Sequence, residues 1–303
     1  MKSSPFFLLP IVLGVLLTAC NLTQEVEIEL PEYEPQIVVE SYLRPGLPYL
    51  VTMVESTSFF DDVELDYVRD ATVTISHEGT TDTLLPIEID LNTPGLEGVL
   101  DTALLKTLEP IIGQGIYLYG ALQLVPEVYN EPFELSIKTQ DGRELSATTY
   151  IPEPVAQDSF KYRFNEDSLA IVLTQFTDIA GEVNFYRRVL EEREPRISEN
   201  TDGTQDTTWV DDVEQEFILD DDLGDGEPFV FGTTFEYQAG DTLFSTIYHI
   251  TPEYYRFLET RDAAITASFS PFAPPAVVST NIEGGAGIFA GFTGERLMLV
   301  VGE

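Results

Sequence analysis

A run of aspartates in the second half of the chain is the pattern best suited to hold a metal ion. Residues 220–227 read DDDLGDGE, and Ca²⁺ binds six to eight hard oxygen atoms, which a loop dense in Asp and Gly can supply. The match to a calcium loop is incomplete, because position three counted from Asp221 is Leu223 and position twelve is Gly232 instead of glutamate. The candidate Ca²⁺ ligands are Asp220, Asp221, Asp222 and Asp225. The competing interpretation is a solvated acidic turn.

The residue types needed for most hydrolytic chemistry are scarce. The chain has only two histidines, His77 and His249, and no HExxH pattern, so neither a Ser/His/Asp arrangement nor a zinc hydrolase site is indicated. We interpret both histidines as structural or surface residues. The 53 acidic residues make chance carboxylate pairs unavoidable, so no pair can be singled out for glycoside hydrolysis. We predict no catalytic residues and no enzymatic activity, with a carboxylate-based glycan hydrolase as the remaining enzymatic alternative.

Aromatic side chains in the second half offer a further binding chemistry. Five of these side chains could together form a platform for a sugar ring. They are Trp209, Tyr248, Tyr254, Tyr255 and Phe257. Large aromatic side chains in a β protein more often fill the core. We favour the core interpretation.

The single cysteine, Cys20, is placed for covalent lipid attachment. Residues 1–19 contain Lys2, an apolar stretch over residues 6–17 and then Thr18 and Ala19, which is the layout of a secretory signal peptide. The apolar stretch is too short to remain as a spanning helix, which needs about 20 residues. The order Leu-Thr-Ala-Cys resembles the lipobox of bacterial lipoproteins, and one cysteine cannot form an internal disulfide. We predict a signal peptide over 1–19 and a membrane anchor through a lipid on Cys20.

The charge balance limits the possible partners. The chain carries 53 acidic and 15 basic residues, a formal net charge of −38, so nucleic acid and anionic membrane surfaces are repelled. Only four of the basic residues are lysine. Depleted lysine with abundant carboxylates is typical of proteins from very salty environments, where dissolved cations screen the repulsion. We favour this halophilic interpretation, and a surface that binds Ca²⁺ or a cationic ligand is the alternative.

The positions of apolar residues predict a mainly β fold. Residues 37–43, 49–55, 71–76, 133–137 and 145–150 have the composition or the period-two alternation of strands, and Asp141-Gly142 supplies a tight hairpin turn. The polar residues 200–208 indicate a loop. One helix is expected to begin at Pro252 with Thr251 as N-cap, to end before Ser270, and to bury Tyr255, Leu258, Ala263 and Ile265.

These elements predict two domains joined by a proline-containing linker. We predict a lipidated tether over residues 20–32, an N-terminal immunoglobulin-like β-sandwich over 33–150, a linker over 151–158, and a second β-rich domain over 159–303 with one or two short helices. Residues 284–287 (GGAG) demand positive φ angles or a close backbone approach, as in a bulged strand or a packing corner.

Four segments carry a family resemblance. They are residues 37–40 (IVVE), 70–75 (DATVTI), 150–152 (YIP) and, most specifically, 279–289 (STNIEGGAGIF). Together they resemble a family of Bacteroidota lipoproteins known as DUF4249. The resemblance covers nearly all of the chain after Cys20, and the family supplies no catalytic residues. Family members often lie near genes for TonB-dependent outer-membrane receptors, which implies an accessory role in capturing or passing a nutrient.

These observations lead to one functional expectation and one non-enzymatic rival. We expect a noncatalytic outer-membrane lipoprotein, on the cell surface or the periplasmic face, that binds a TonB-dependent transporter or its cargo. The alternative is a structural or adhesive envelope lipoprotein.

Overall fold

The computed structural model describes residues 34–57, 65–89, 115–199, 205–222, 224–268 and 276–302. Cys20 and the predicted signal peptide and tether lie outside these residues. The described chain is built from fifteen strands and one helix, which confirms the predicted mainly β class. The strands are β1 (Ile37–Leu43), β2 (Pro48–Glu55), β3 (Asp66–Tyr67), β4 (Ala71–His77), β5 (Thr80–Ile89), β6 (Ile116–Leu124), β7 (Pro132–Thr139), β8 (Glu144–Tyr150), β9 (Gln157–Phe164), β10 (Ala170–Thr177), β11 (Phe185–Glu199), β12 (Gln205–Asp220), β13 (Pro228–Gly232), β14 (Thr242–Ile250) and β15 (Ala286–Val300).

Strands of the first half enclose one core, as the alternation of their apolar residues predicts. The strand order is β15-β1-β2-β6-β5-β4-β7-β8, with β3 paired to β2. The first half of β5 pairs with β4 and its second half with β6, so the path folds back on itself. Inward-facing side chains from β1, β2, β4, β7 and β8 form the core, including Val39, Met53, Ile75, Phe133 and Leu145.

The second half contains two facing layers. β12, β11, β14 and the end of β15 continue the large sheet, while β13, β10 and β9 form a separate three-stranded sheet. Phe176 of β10 contacts Tyr186 of β11 edge to face, with ring centroids 4.8 Å apart, and stacks on Phe229 of β13. These apolar contacts hold the small sheet against the large one.

The strand β15 belongs to both halves of the fold. Its first residues pair with β1 in parallel, with Gly287 opposite Val39, and residues 292–300 pair with β14 in antiparallel. The described residues from Pro35 onward form one compact unit. Within residues 151–158, Ile151 and Val155 are buried, and β9 already begins at Gln157. The predicted linker there therefore packs against its neighbours, and its role as a domain boundary stays a prediction.

The single described helix, α1 (Pro252–Ser268), confirms the predicted start and end. The Thr251 hydroxyl accepts a hydrogen bond from the Tyr254 amide at 3.4 Å. The predicted buried face is only partly correct. Leu258 is buried together with Tyr254 and Phe257, whereas Ile265 is 51% exposed, because only the first half of the helix packs on the sheet, in a cluster with Tyr42 and Phe292.

Candidate partner-binding surface

The hairpin of β11 and β12 extends past its neighbour in the sheet. β14 pairs with β11 only from Phe185 to Glu192, while β11 and β12 remain paired as far as Glu199 and Gln205. Residues 193–199 and 205–211 therefore form a two-stranded projection, which we call the arm. β12 is also the last strand in the order of the large sheet, so one edge of the arm is open among the described strands.

One face of the arm is apolar and exposed. Trp209 lies directly opposite Pro195, and Ile197 is two residues further along the same strand, so the three side chains share a face. Trp209 is 65% exposed and Ile197 is 63% exposed. An aromatic and a β-branched side chain left in water at the tip of a sheet are typical of a surface that binds another molecule.

Two arginines hold the base of the arm on the same face. The guanidinium groups of Arg193 and Arg296 lie 4.5 Å and 4.0 Å from the centre of the Phe244 ring. Both donate to Asp211, Arg193 at 2.8 Å and Arg296 at 2.9 Å, and Arg296 also pairs with Glu191 at 3.0 Å. Burial raises the pKa of Asp211, but the two arginine hydrogen bonds outweigh it and leave that pKa below its ordinary value. The network ties the arm to β14 and β15.

The opposite face of the arm and the strands beside it are acidic. Burial and the negative charges of Asp241, Glu214, Glu194 and Glu236 raise the pKa of Glu192 to about 7. The pKa of Glu214 is raised as well, by burial and by Glu194, Glu236 and Asp212. A partner that reaches this face should carry positive charge.

The raised pKa of Glu192 predicts a pH-dependent stability. Between the ordinary glutamate pKa near 4.5 and about 7, the folded chain retains a proton that the unfolded chain releases, so this contribution to stability is lost as the pH rises through that window. We expect Glu192→Gln to flatten the fall in unfolding midpoint between about pH 5 and about pH 8 at constant ionic strength. The control is Glu166→Gln at an exposed position. An unchanged slope in Glu192→Gln would show that other groups cause it.

A buried arginine lies in the core of the second half, on β11. Arg188 is fully buried, and its Nη1 donates to Gln215 Oε1 at 2.9 Å. Its Nε and Nη2 atoms have no hydrogen-bond partner among the described residues. Burial lowers the pKa of Arg188 to about 10. The neighbouring Arg187 differs, because its Nε donates to Glu216 Oε1 at 2.7 Å.

Replacing Arg188 or Arg187 by methionine should change the free energy of unfolding in opposite directions. Arg188→Met takes a buried charge without a carboxylate partner out of the core, and we expect the free energy of unfolding to rise by about 1–2 kcal/mol. Arg187→Met breaks a hydrogen-bonded ion pair, and we expect a loss of about 1–2 kcal/mol. Chemical denaturation of both variants tests this pair. A loss of stability in Arg188→Met would mean that its guanidinium is fully compensated.

The calcium candidates tie a loop together. Asp221 is buried, and its Oδ2 accepts from the Asn184 amide at 2.8 Å. Asp225 Oδ1 accepts from the Gly181 amide at 2.5 Å. Asp220 ends β12 and Asp222 is exposed. Neither the four carboxylates nor three of them converge within 4.8 Å of one another in the described part of the chain. The calcium site stays a prediction, and the geometry accounts for Asp221 and Asp225 as loop anchors.

The remaining candidates are dispersed over the molecule. Tyr254 and Phe257 are buried and Trp209 is exposed on the arm, so the aromatic residues form no common sugar platform. His249 is a core residue whose Nδ1 lies 2.7 Å from the Glu153 carbonyl oxygen, and burial lowers its pKa. His77 lies close to Glu78 and Glu131, and these three are the described His, Asp and Glu side chains whose ligand atoms converge. The sequence analysis did not predict this group, because Glu131 lies far from His77 and Glu78 in the sequence.

Comparison with known proteins identifies a family but no activity. The family model described as a domain of unknown function, DUF4249, matches residues 23–296. No curated protein matches the chain. None of the helices in the described residues has the length and apolar character required to span a bilayer.

Two solved structures are weakly similar. One is a DUF4785 family protein from Legionella pneumophila, 12% identical, with a TM-score of 0.23 over 70% of this chain and 52% of the other. The second is alpha-2-macroglobulin of E. coli in its native conformation, 11% identical, with a TM-score of 0.20 over 78% of this chain and 16% of the other. The chain thus spans about half of the first protein and a small part of the second.

Proposed function

Because the chain belongs to the DUF4249 family, we propose that it is a noncatalytic, lipid-anchored outer-membrane protein that serves as an accessory of a TonB-dependent transporter. It binds the receptor through the apolar face of the arm. The observation that carries this proposal is the exposure of Trp209 and Ile197 at the end of an edge hairpin.

The construction of the arm supports a role in protein recognition. Trp209 and Ile197 lose exposed apolar area when a partner covers them, and buried aromatic anchors supply a large share of binding energy at protein interfaces. The arginine network at the base reduces the freedom of the arm before binding, so less conformational entropy is lost in the complex. The open edge of β12 offers backbone groups to the partner.

The anchoring half of the proposal is supported by the sequence around Cys20. Its hydrophobic stretch, small residues and cysteine occur in the order of a lipobox. Lipid attachment would keep the arm near the membrane that holds the receptor, which raises the effective concentration of the two proteins.

The test is an affinity pull-down of the tagged full chain from native outer membranes at high salt, with mass spectrometry of the proteins recovered. We expect a TonB-dependent receptor in near-equal amount. Trp209→Ser should reduce its recovery at least about tenfold. The matched control is Leu122→Ser, which removes another exposed apolar side chain, one that is 97% exposed on β6, and it should have no effect.

Three further observations would contradict or divide this proposal. Recovery of the chain alone, from membranes that contain intact solubilised receptors, would contradict the receptor complex and favour the structural envelope role. Loss of the receptor with Leu122→Ser but not with Trp209→Ser would place the contact at β6, in the first half of the chain, instead of at the arm. Cys20→Ala tests the anchor separately, because we expect the chain to leave the membrane fraction while its arm remains intact.

A further inference from the structure

The turn between β4 and β5 brings a histidine and two glutamates together. His77 is the last residue of β4, and Glu78 and Gly79 form the turn with φ angles of 46° and 77°. Glu131 immediately precedes β7, which pairs with β4 in antiparallel. Ser76 pairs with Glu134, so the next residue of β4, His77, lies beside Phe133 of β7. The rings of His77 and Phe133 stack with their centroids 4.3 Å apart and their planes 15° apart. The imidazole is therefore held in a defined orientation.

The hydrogen bond made by one ring nitrogen determines the role of the other. His77 Nδ1 lies 3.2 Å from the carbonyl oxygen of Pro132. A carbonyl oxygen only accepts hydrogen bonds, so Nδ1 carries the proton. In the neutral ring, Nε2 then presents a lone pair. A backbone carbonyl that accepts from the outer nitrogen is the usual arrangement behind a metal-binding histidine.

The lone-pair nitrogen faces two carboxylates. Nε2 is buried and has no hydrogen-bond partner among the described residues. It lies 3.6 Å from Glu131 Oε2 and 4.0 Å from Glu78 Oε2. Both distances exceed those of an N–H···O hydrogen bond. A lone pair this close to two anionic oxygens is unfavourable unless a proton or a metal ion lies between them.

The three ligand atoms are slightly further apart than the ligand atoms of a metal site. Zinc binds nitrogen and oxygen at about 2.0–2.2 Å, which places neighbouring ligand atoms of a tetrahedral site about 3.3–3.6 Å apart. The ligand atoms of His77, Glu78 and Glu131 lie within 4.8 Å of one another. The Glu78 and Glu131 side chains are 70% and 45% exposed, so both carboxylates have room to rotate towards an ion that enters from solvent.

We infer that His77, Glu78 and Glu131 bind one divalent transition-metal ion of the zinc class. The imidazole disfavours Ca²⁺ and Mg²⁺, which prefer sites made of oxygen ligands only. Three protein ligands leave at least one coordination position for water. This site is independent of the arm and of the proposed receptor.

The test is zinc binding to the full chain after removal of metal with a chelator. Binding is measured by calorimetry in about 1 M NaCl. At this salt concentration the Debye length falls to about 3 Å, so nonspecific attraction of Zn²⁺ to the many surface carboxylates is suppressed. We expect one equivalent of Zn²⁺ to bind, and Co²⁺ to give the absorption of a low-coordinate site. His77→Asn and Glu131→Gln should each weaken zinc binding at least about tenfold. The control Glu134→Gln removes the same charge from a nearby position on β7 and should leave binding unchanged.

Nitrogen NMR of the two histidines gives a readout that does not depend on stability. We expect Zn²⁺ to shift the Nε2 resonance of His77 and to leave His249 unchanged, with the Nδ1 proton of His77 retained. Equal zinc affinity in the wild type, His77→Asn and Glu131→Gln would overturn the inference. A His77 ring that stays protonated on both nitrogens at saturating zinc would also overturn it, because the cluster would then be an ion pair.

Discussion

Gly287→Ala is expected to prevent stable folding of the chain. Gly287 has a φ angle of 105°, and a Cβ atom at this position would overlap the carbonyl oxygen of Val39 and approach its amide nitrogen to 2.8 Å. Val39 is the residue that faces Gly287 in the parallel pair of β1 and β15. Both contacts are with backbone, so no side-chain rotation relieves them. We expect a loss of more than about 4 kcal/mol, a large part of the stability of an ordinary domain.

The matched control is Gly142→Ala in the hairpin between β7 and β8. Gly142 also has a positive φ angle, 91°, but nothing lies within 4 Å of its added Cβ. Only the intrinsic cost of a left-handed alanine remains, about 1–2 kcal/mol. Yield of folded protein and chemical denaturation compare the two variants. A Gly287→Ala chain as stable as Gly142→Ala would mean that β1 and β15 are not paired as described.

Raising the NaCl concentration from about 0.1 M to about 2 M is expected to raise the unfolding midpoint by about 10 °C or more. The chain has 53 acidic residues against 15 basic ones, so folding concentrates like charges. Salt shortens the Debye length from about 10 Å at 0.1 M to about 3 Å at 1 M, which weakens this repulsion more in the folded state than in the expanded unfolded state.

The competing explanation of the acidity, binding of specific cations, is separated by CaCl₂ at matched ionic strength. If charge screening is the cause, CaCl₂ and NaCl should give similar midpoints at equal ionic strength. If millimolar Ca²⁺ alone gave the full rise in the unfolding midpoint, specific cation binding would be favoured instead, with Asp221 and Asp225 among the candidate ligands. A midpoint that is flat or falls with NaCl would contradict the halophilic interpretation.

Regular patterns in the sequence predicted the regular parts of the fold. Residues 37–43 coincide with β1 and the alternation over 71–76 lies within β4, because one face of each strand is buried in the same core. The capping signals around Thr251 and Pro252 located the start of α1. The glycines at 284–287 were predicted to need positive φ angles or a close approach, and Gly284 and Gly287 have φ angles of 79° and 105°.

The missed features depend on contacts between distant residues. The polar residues 205–208 were predicted to lie in a loop, but β12 begins at Gln205, because a solvated arm has no buried face to create alternation. Arg188 was not expected in the core, since its burial follows from the layer formed by β13 and β10. The cluster at His77 requires β7 to lie beside β4, and no local pattern predicts that pairing.

The double role of β15 imposes an order on folding. β1 pairs with the nearby strand β2 along one edge, and its other edge is covered only by residues 286–291, which lie far away in sequence. β14 waits for the same strand, at residues 292–300. Because closing so long a loop has an entropic cost and nonlocal strand pairs form slowly, both halves keep an exposed backbone edge until β15 has paired. The chain is therefore vulnerable to aggregation until β15 has paired with both neighbours, and a truncation at Ser268 would leave both edges open permanently.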